Sequence, residues 1–172
     1  MIININKPTG WTSFDVVKKV RGIIKEKKVG HAGTLDPFAE GVLVLGTGPD
    51  TKKLTNITTA NKTYRADLTL GKATDTLDLD GKISAEAVVP KLTKEIITAV
   101  LDTFDGPQEQ MPPMYSAKHV NGQRLYKLAR KNKTVERVPI RISIDQISLL
   151  EYTEPVITFE VTCSKGTYIR VL

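Results

Sequence analysis

The sequence is poor in the residues that build metal, cofactor and membrane sites. It contains one cysteine, Cys163, and two histidines, His31 and His119. A single cysteine closes no internal disulfide, and one Cys with two His falls short of a structural zinc set. Cys163 follows the alternating run Phe159-Glu160-Val161-Thr162, so it reads as a strand residue rather than a nucleophile. Long apolar runs are missing too. Met1-Ile2-Ile3-Asn4-Ile5-Asn6-Lys7 is too short for a signal peptide, and no stretch reaches bilayer length. These absences point to a cytoplasmic protein without a membrane partner. There is no internal repeat and no low-complexity segment.

Two motifs invite a ligand and do not hold up. In Gly46-Thr47-Gly48-Pro49-Asp50-Thr51-Lys52-Lys53 the second glycine does not precede a lysine, and no Ser or Thr follows, so a phosphate loop is excluded. Asp75, Asp78 and Asp80 resemble a calcium loop until Gly81 is set at its sixth position. The twelfth is then Ala87, where a bidentate glutamate is required. No cofactor and no metal are expected.

What is present is an ordinary globular composition, 40% hydrophobic and 26% charged over 172 residues, enough for one compact domain. The net charge of +6 is unevenly spread. Residues 118–141 carry Lys118, Arg124, Lys127, Arg130, Lys131, Lys133, Arg137 and Arg141 against Glu136 alone, and residues 1–30 are basic as well. Such clustering suits a polyanion, because each phosphate contacted releases counterions. A solvated helix face has the same signature.

The pattern along the chain mixes strands and helices. Ile2–Ile5 reads as a strand, Lys7-Pro8-Thr9-Gly10 as a turn, and Thr12 or Ser13 as the cap of a helix ending near Lys27, with Asp15 placed for a capping box. Phe14, Val16, Val17, Val20, Ile23 and Ile24 form its apolar stripe. Residues 30–37 read as a loop, and 41–46 and 64–70 as strands. Asp75–Gly81 reads as a turn, Thr93–Phe104 as a helix and Arg124–Lys131 as a short basic helix. The prolines of Gln110–Met114 forbid a helix. Pro139–Tyr152 and Pro155–Ser164 form a hairpin around Thr153 and Glu154. Without strict βαβ alternation, the fold expected is α+β with a mixed, mostly antiparallel sheet flanked by helices.

Asp36-Pro37 has a local explanation, since Asp caps helices and Pro suits the first helical position. The surrounding Gly30-His31-Ala32-Gly33-Thr34-Leu35-Asp36-Pro37 allows another, in which a loop presents a carboxylate from a rigid scaffold.

In their order along the chain these segments resemble the TruB-type tRNA pseudouridine synthases. The resemblance rests on Lys7-Pro8-Thr9-Gly10, the 30–37 loop, Lys62-Thr63-Tyr64 and Gly71–Gly81 with its Thr74-Asp75-Thr76 core. It continues through Pro112-Pro113-Met114-Tyr115-Ser116-Ala117, Gly122, Leu125-Tyr126 and Gly166-Thr167-Tyr168-Ile169-Arg170. The resemblance implies a pseudouridine-synthase-type fold spanning residues 1–172, with residues 110–141 as a basic RNA-clasping insertion. It implies isomerisation of the uridine at position 55 in the tRNA T-loop, by base flipping and without a cofactor or obligate protein partner. DNA is not an expected ligand.

By the same resemblance Asp36 is the catalytic aspartate, and Arg170 is the active-site arginine that favours and orients the ionised carboxylate. Tyr64 stacks on the target base and handles the proton at its C5. His31 holds the disrupted T-loop, Lys7 supports the site floor, and Tyr168 lines the pocket. Lys118, His119, Arg124, Lys127 and Arg130 grip RNA. Departures from the family pattern are His119, where a lysine is usual, and the chain's stop at Leu172. Family members continue through the rest of the catalytic domain and a small C-terminal PUA domain, so a truncated fragment is expected. The alternatives are a tRNA-binding or tRNA-folding module inactive as this fragment, and a phosphate-handling metalloenzyme whose aspartates already lack ligand spacing.

Overall fold

A computed structural model describes residues 1–120, 122–131 and 133–172. The chain divides into two compact units, Met1–Ala60 and Asn61–Leu172.

In the first unit, strand β1 (Ile2–Lys7) leads through the expected turn into helix α1 (Ser13–Ile24). Thr12 caps α1 with a full capping box: its side chain accepts from the Asp15 amide, and Asp15 accepts from the Thr12 amide. The helix ends three residues before Lys27. Lys25 turns left-handed, with φ of 54°, and stops it there. The apolar stripe is narrower than its spacing suggests. Val16, Val17 and Val20 are buried with Val29, Leu43 and Leu45, whereas Phe14 and Ile23 face solvent. Phe14 is instead covered on one face by the Arg21 guanidinium, 5.8 Å from the ring centroid.

Strands β2 (Val29–His31) and β3 (Gly41–Thr47) complete an antiparallel sheet of order β1-β3-β2. Gly30 and His31 therefore lie in a strand, not in the expected loop, because they pair with Gly46 and Leu45. Gly46 is required there: a Cβ would stand 3.0 Å from the Asp50 carbonyl oxygen and 3.0 Å from Leu54 Cγ. Its absence lets the 3-10 turn Gly48–Lys53 and helix α2 (Leu54–Thr59) fold back over β3.

The second unit holds β4 (Lys62–Thr69), a small hairpin β5 (Lys72–Thr74) and β6 (Ile83–Glu86), and helix α3 (Lys94–Asp102) capped by Thr93. Next come β7 (Gly106–Gln110), the short strands β8 (His119–Val120) and β9 (Gln123–Arg124), and helix α4 (Leu125–Ala129). The long strands β10 (Ile140–Thr153) and β11 (Val156–Cys163) follow. The main sheet runs β4-β11-β10-β7 and is antiparallel throughout. Ile97 and Leu101 of α3 pack with Ile142, Ile144, Ile147, Ile157, Phe159 and Val161 to form its core. Strand β7 escapes the sequence pattern because it opens Gly106-Pro107. It lies at the end of this sheet, where proline is tolerated. Cys163 is buried at the end of β11, and burial pushes its thiol pKa up, as an inert strand residue requires.

Candidate active site

In the first unit, the segment carrying Asp36 is irregular yet pinned at close intervals. Ser13, the first residue of α1 and only 2% exposed, donates its hydroxyl to the Leu35 carbonyl at 3.2 Å and accepts from the Leu35 amide at 3.0 Å. The Gly10 amide donates to the Pro37 carbonyl at 2.8 Å, and the Ala39 amide to the Asp36 carbonyl at 3.1 Å. Asp36-Pro37 thus does begin a turn, and that turn is anchored on both sides of the aspartate. Asp36 itself is half-buried.

Lys7 completes the anchoring. Its side chain is fully buried, and Nζ donates to the carbonyls of Trp11 at 2.7 Å, Pro8 at 2.9 Å and Pro37 at 3.4 Å. Burial pulls the ammonium pKa below its ordinary value, while the negative charges of Asp36 and Glu40 push it back up. A buried cation therefore lies within electrostatic reach of Asp36 and is held by the Pro37 carbonyl of that turn and by the Pro8 and Trp11 carbonyls between β1 and α1. His31, half-buried at the end of β2, donates Nδ1–H to the Gly33 carbonyl, which leaves Nε2 as the other ring nitrogen. A separate shallow groove of about 700 Å³ runs along the outer side of α1, lined by Trp11, Lys18, Lys19 and Ile23 among others; Asp36 is not one of its walls.

In the second unit, Arg170 sits in a buried network. Its Nη1 is 3.0 Å from Asp78 Oδ2, with both side chains under a tenth exposed, and 3.5 Å from the Thr76 carbonyl. Its Nη2 donates to the Tyr115 carbonyl. Asp78 in turn accepts from the Thr76 hydroxyl at 2.6 Å and the Asp80 amide at 3.1 Å through Oδ1. Asp75 Oδ1 accepts from the Lys82 amide at 2.9 Å, and Thr74 Oγ1 bridges the Asp78 amide and carbonyl. The aspartate-rich turn is thus wound around an arginine counter-ion. Gly81 closes it, since a Cβ there would meet Thr76 Oγ1 at 2.1 Å.

Tyr168 is placed by Gln110, whose Oε1 accepts from the Tyr168 amide at 2.8 Å and whose Nε2 donates to the Tyr168 carbonyl at 3.1 Å. Tyr64 lies on β4 opposite Val161 and packs, half-buried, against the same core as Ile169.

The basic residues gather on one small module. Strands β8 and β9 pair His119 with Arg124, and α4 follows directly, with buried Leu125 and Ala129 fixing it. His119, Arg124, Lys127 and Arg130 are exposed and Lys118 is half-buried. Arg130 stacks 5.5 Å from the Tyr126 ring centroid. Arg137 is committed elsewhere, donating to the Pro112 carbonyl at 3.0 Å. Residues Asn121 and Asn132 of the 110–141 insertion lie outside the described residues.

Sequence reasoning missed Asp78 as a partner of Arg170, and it gave Gln110 and Ser13 no role at the site. The three aspartates were visible as a turn, as part of the family resemblance and as a rejected metal loop; the signal that could have found Asp78 is the need of a buried guanidinium for a carboxylate. Among the described residues no helix is long and apolar enough to cross a membrane.

Residues 21–169 match the family described as TruB family pseudouridylate synthase (N terminal domain). The chain belongs to this family. A protein named tRNA pseudouridine synthase B from Clostridium kluyveri is 50% identical over 171 residues, covering 99% of this chain and 59% of that protein. One of the same name from Dehalococcoides mccartyi is 47% identical, covering 99% of this chain and 57% of that protein. The chain therefore spans just under three fifths of the length of these TruB relatives. Among solved structures, a chain of the "Cbf5-Nop10-Gar1 Complex" superposes with a TM-score of 0.70 at 29% identity, covering 99% of this chain and 41% of that one.

Proposed function

We propose that this chain isomerises uridine to pseudouridine in tRNA, at position 55 of the T-loop, acting in the cytoplasm. What carries the reading is membership of the TruB family, with relatives named tRNA pseudouridine synthase B that cover 99% of this chain; position 55 follows the family resemblance of the motifs. The chemistry suits the residues. The base is cut from C1′ at N1 and rejoined at C5, the C5 proton leaves and N1 gains one. No electrons are exchanged, so no redox cofactor is required. Asp36, on its anchored turn, is the nucleophilic carboxylate. Arg170 is the active-site arginine by the family resemblance, and Asp78 holds its guanidinium in one orientation. Tyr64 stacks on the extruded base and serves the C5 proton.

Extruding the base costs a few kcal/mol of stacking, which contacts to the rest of the T-loop must offset. His31 and the basic module of Lys118, His119, Arg124, Lys127 and Arg130 supply them, with Tyr168 lining the pocket. RNA loops are read by stacking and shape, which fits an exposed basic hairpin better than a helix built for a DNA groove.

Tritium release from tRNA labelled at uridine C5 tests the reading. The chain should release one tritium per molecule from intact tRNA and none from tRNA whose position 55 is cytidine. Equal release from both would overturn the site assignment, and release from neither would overturn the activity.

A further inference from the structure

Gln110 closes β7 and is only 6% exposed, yet its side chain serves one distant residue. Both of its amide atoms go to the backbone of Tyr168, 58 positions away. A side-chain amide offers the same donor and acceptor as a peptide, so Gln110 pairs with Tyr168 as a neighbouring strand would, where no ladder runs. Elsewhere the segment after β11 is held by Ser164, which pairs with Ser143, by Thr167 Oγ1 donating to the Ser164 carbonyl, by the Val171 and Leu172 amides donating to the Tyr168 carbonyl, and by the Arg170 guanidinium.

Arg170 lies two residues beyond this clamp. Its Nη2 reaches the Tyr115 carbonyl, and Tyr115 belongs to the stretch that leaves β7 at Gln110. Residues 110–115 are therefore tied to 168–170 at both ends, once through Gln110 and once through Tyr115. A buried glutamine loses side-chain freedom and must be fully hydrogen-bonded, so an apolar residue would fill the same space more simply. The geometry points to a positioning role: we infer that Gln110 sets the backbone of Tyr168 and with it the approach of the Arg170 guanidinium to the reacting nucleoside. This rests on the isomerase reading above.

Gln110→Glu gives the discriminating test. Below the pKa of the introduced glutamate the neutral acid keeps both bonds. Once ionised, it loses its donor and sets a negative oxygen against the Tyr168 carbonyl. Turnover of tritiated tRNA should therefore match wild type at the acid end and fall by on the order of 10²-fold as the carboxyl ionises, the effect expected of a catalytic group displaced by about an ångström. KM for tRNA should not change. Gln110→Ala should lower kcat at every pH and speed exchange of the Tyr168 amide. A Gln110→Glu profile parallel to wild type, whether equal to it or uniformly reduced, overturns the role. Activity absent from wild type itself overturns the isomerase reading instead.

Discussion

The turn carrying Asp36 and the segment carrying Arg170 are both irregular, and they are held in opposite ways. Around Asp36 the anchors are nearer in sequence, and what they grip is the main chain of the turn. Ser13, Gly10 and Lys7 lie within about thirty residues, and each meets a peptide group of the turn. Around Arg170 the anchors are side chains and carbonyls 55 to 94 positions away, centred on a buried ion pair. The first arrangement spreads its load over many neutral bonds and one cation solvated by carbonyls. The second concentrates it in two charges that tolerate no missing partner. The lesson is that a carboxylate can be presented by local chain geometry, whereas a guanidinium needs distant parts of the fold to agree.

That contrast ranks the substitutions. Asp78→Ala should be the most damaging, because it strips the carboxylate from a buried arginine and removes the acceptor of Thr76 and Asp80. The expected loss is about 3 kcal/mol, read as a drop in the urea midpoint at unchanged slope. A loss no greater than that of an exposed surface change would erase the distinction between the two halves.

Lys7→Met should be milder, costing about 1–2 kcal/mol for the Trp11 and Pro8 carbonyls that lose the ammonium and the Pro37 carbonyl that keeps only the Gly10 amide, partly offset by relief of a desolvated charge. The comparison sharpens with pH. Because the folded ammonium titrates below its ordinary 10.5, the unfolded chain holds that proton in the window between the two values and the folded chain has shed it. Wild-type stability relative to Lys7→Met should therefore grow as pH rises through that window towards 10.5 and stay flat below it. Unfolding titrations of both proteins near neutrality and near pH 10 would show a shrinking difference if the sign is wrong.

The smallest effects belong to charges outside both halves. Arg124→Ala, Lys127→Ala and Arg130→Ala should leave stability within about 0.5 kcal/mol, since each side chain is exposed. Each should weaken tRNA binding and lower the slope of log K against log salt by about one. Arg137→Ala should do the reverse, disturbing the Pro112 carbonyl with little change in salt slope.

The same contrast explains what could be read from the letters. The Asp36 turn was legible because its determinants are contiguous: Lys7-Pro8-Thr9-Gly10, the Thr12–Asp15 capping box and the glycine-flanked 30–37 run all sit in the first forty residues. The hairpin of β10 and β11 and the core spacing of α3 were legible from apolar periodicity for similar reasons. Strand β7 was hidden by its opening Gly106-Pro107, and Gly30 and His31 by glycine-rich surroundings that mask a pairing with β3. Asp78 and Gln110 were not legible as partners because nothing local marks them; their meaning depends on a guanidinium and a backbone segment that only the folded chain brings to them.

The central claim is that the Asp36 carboxylate, and not merely the shape of its turn, performs the isomerisation. Asp36→Asn keeps that shape with an isosteric amide. In Asp36→Asn, tritium release from labelled tRNA should fall to background while tRNA affinity measured by filter binding equals that of wild type. Release by Asp36→Asn at the wild-type rate would contradict it.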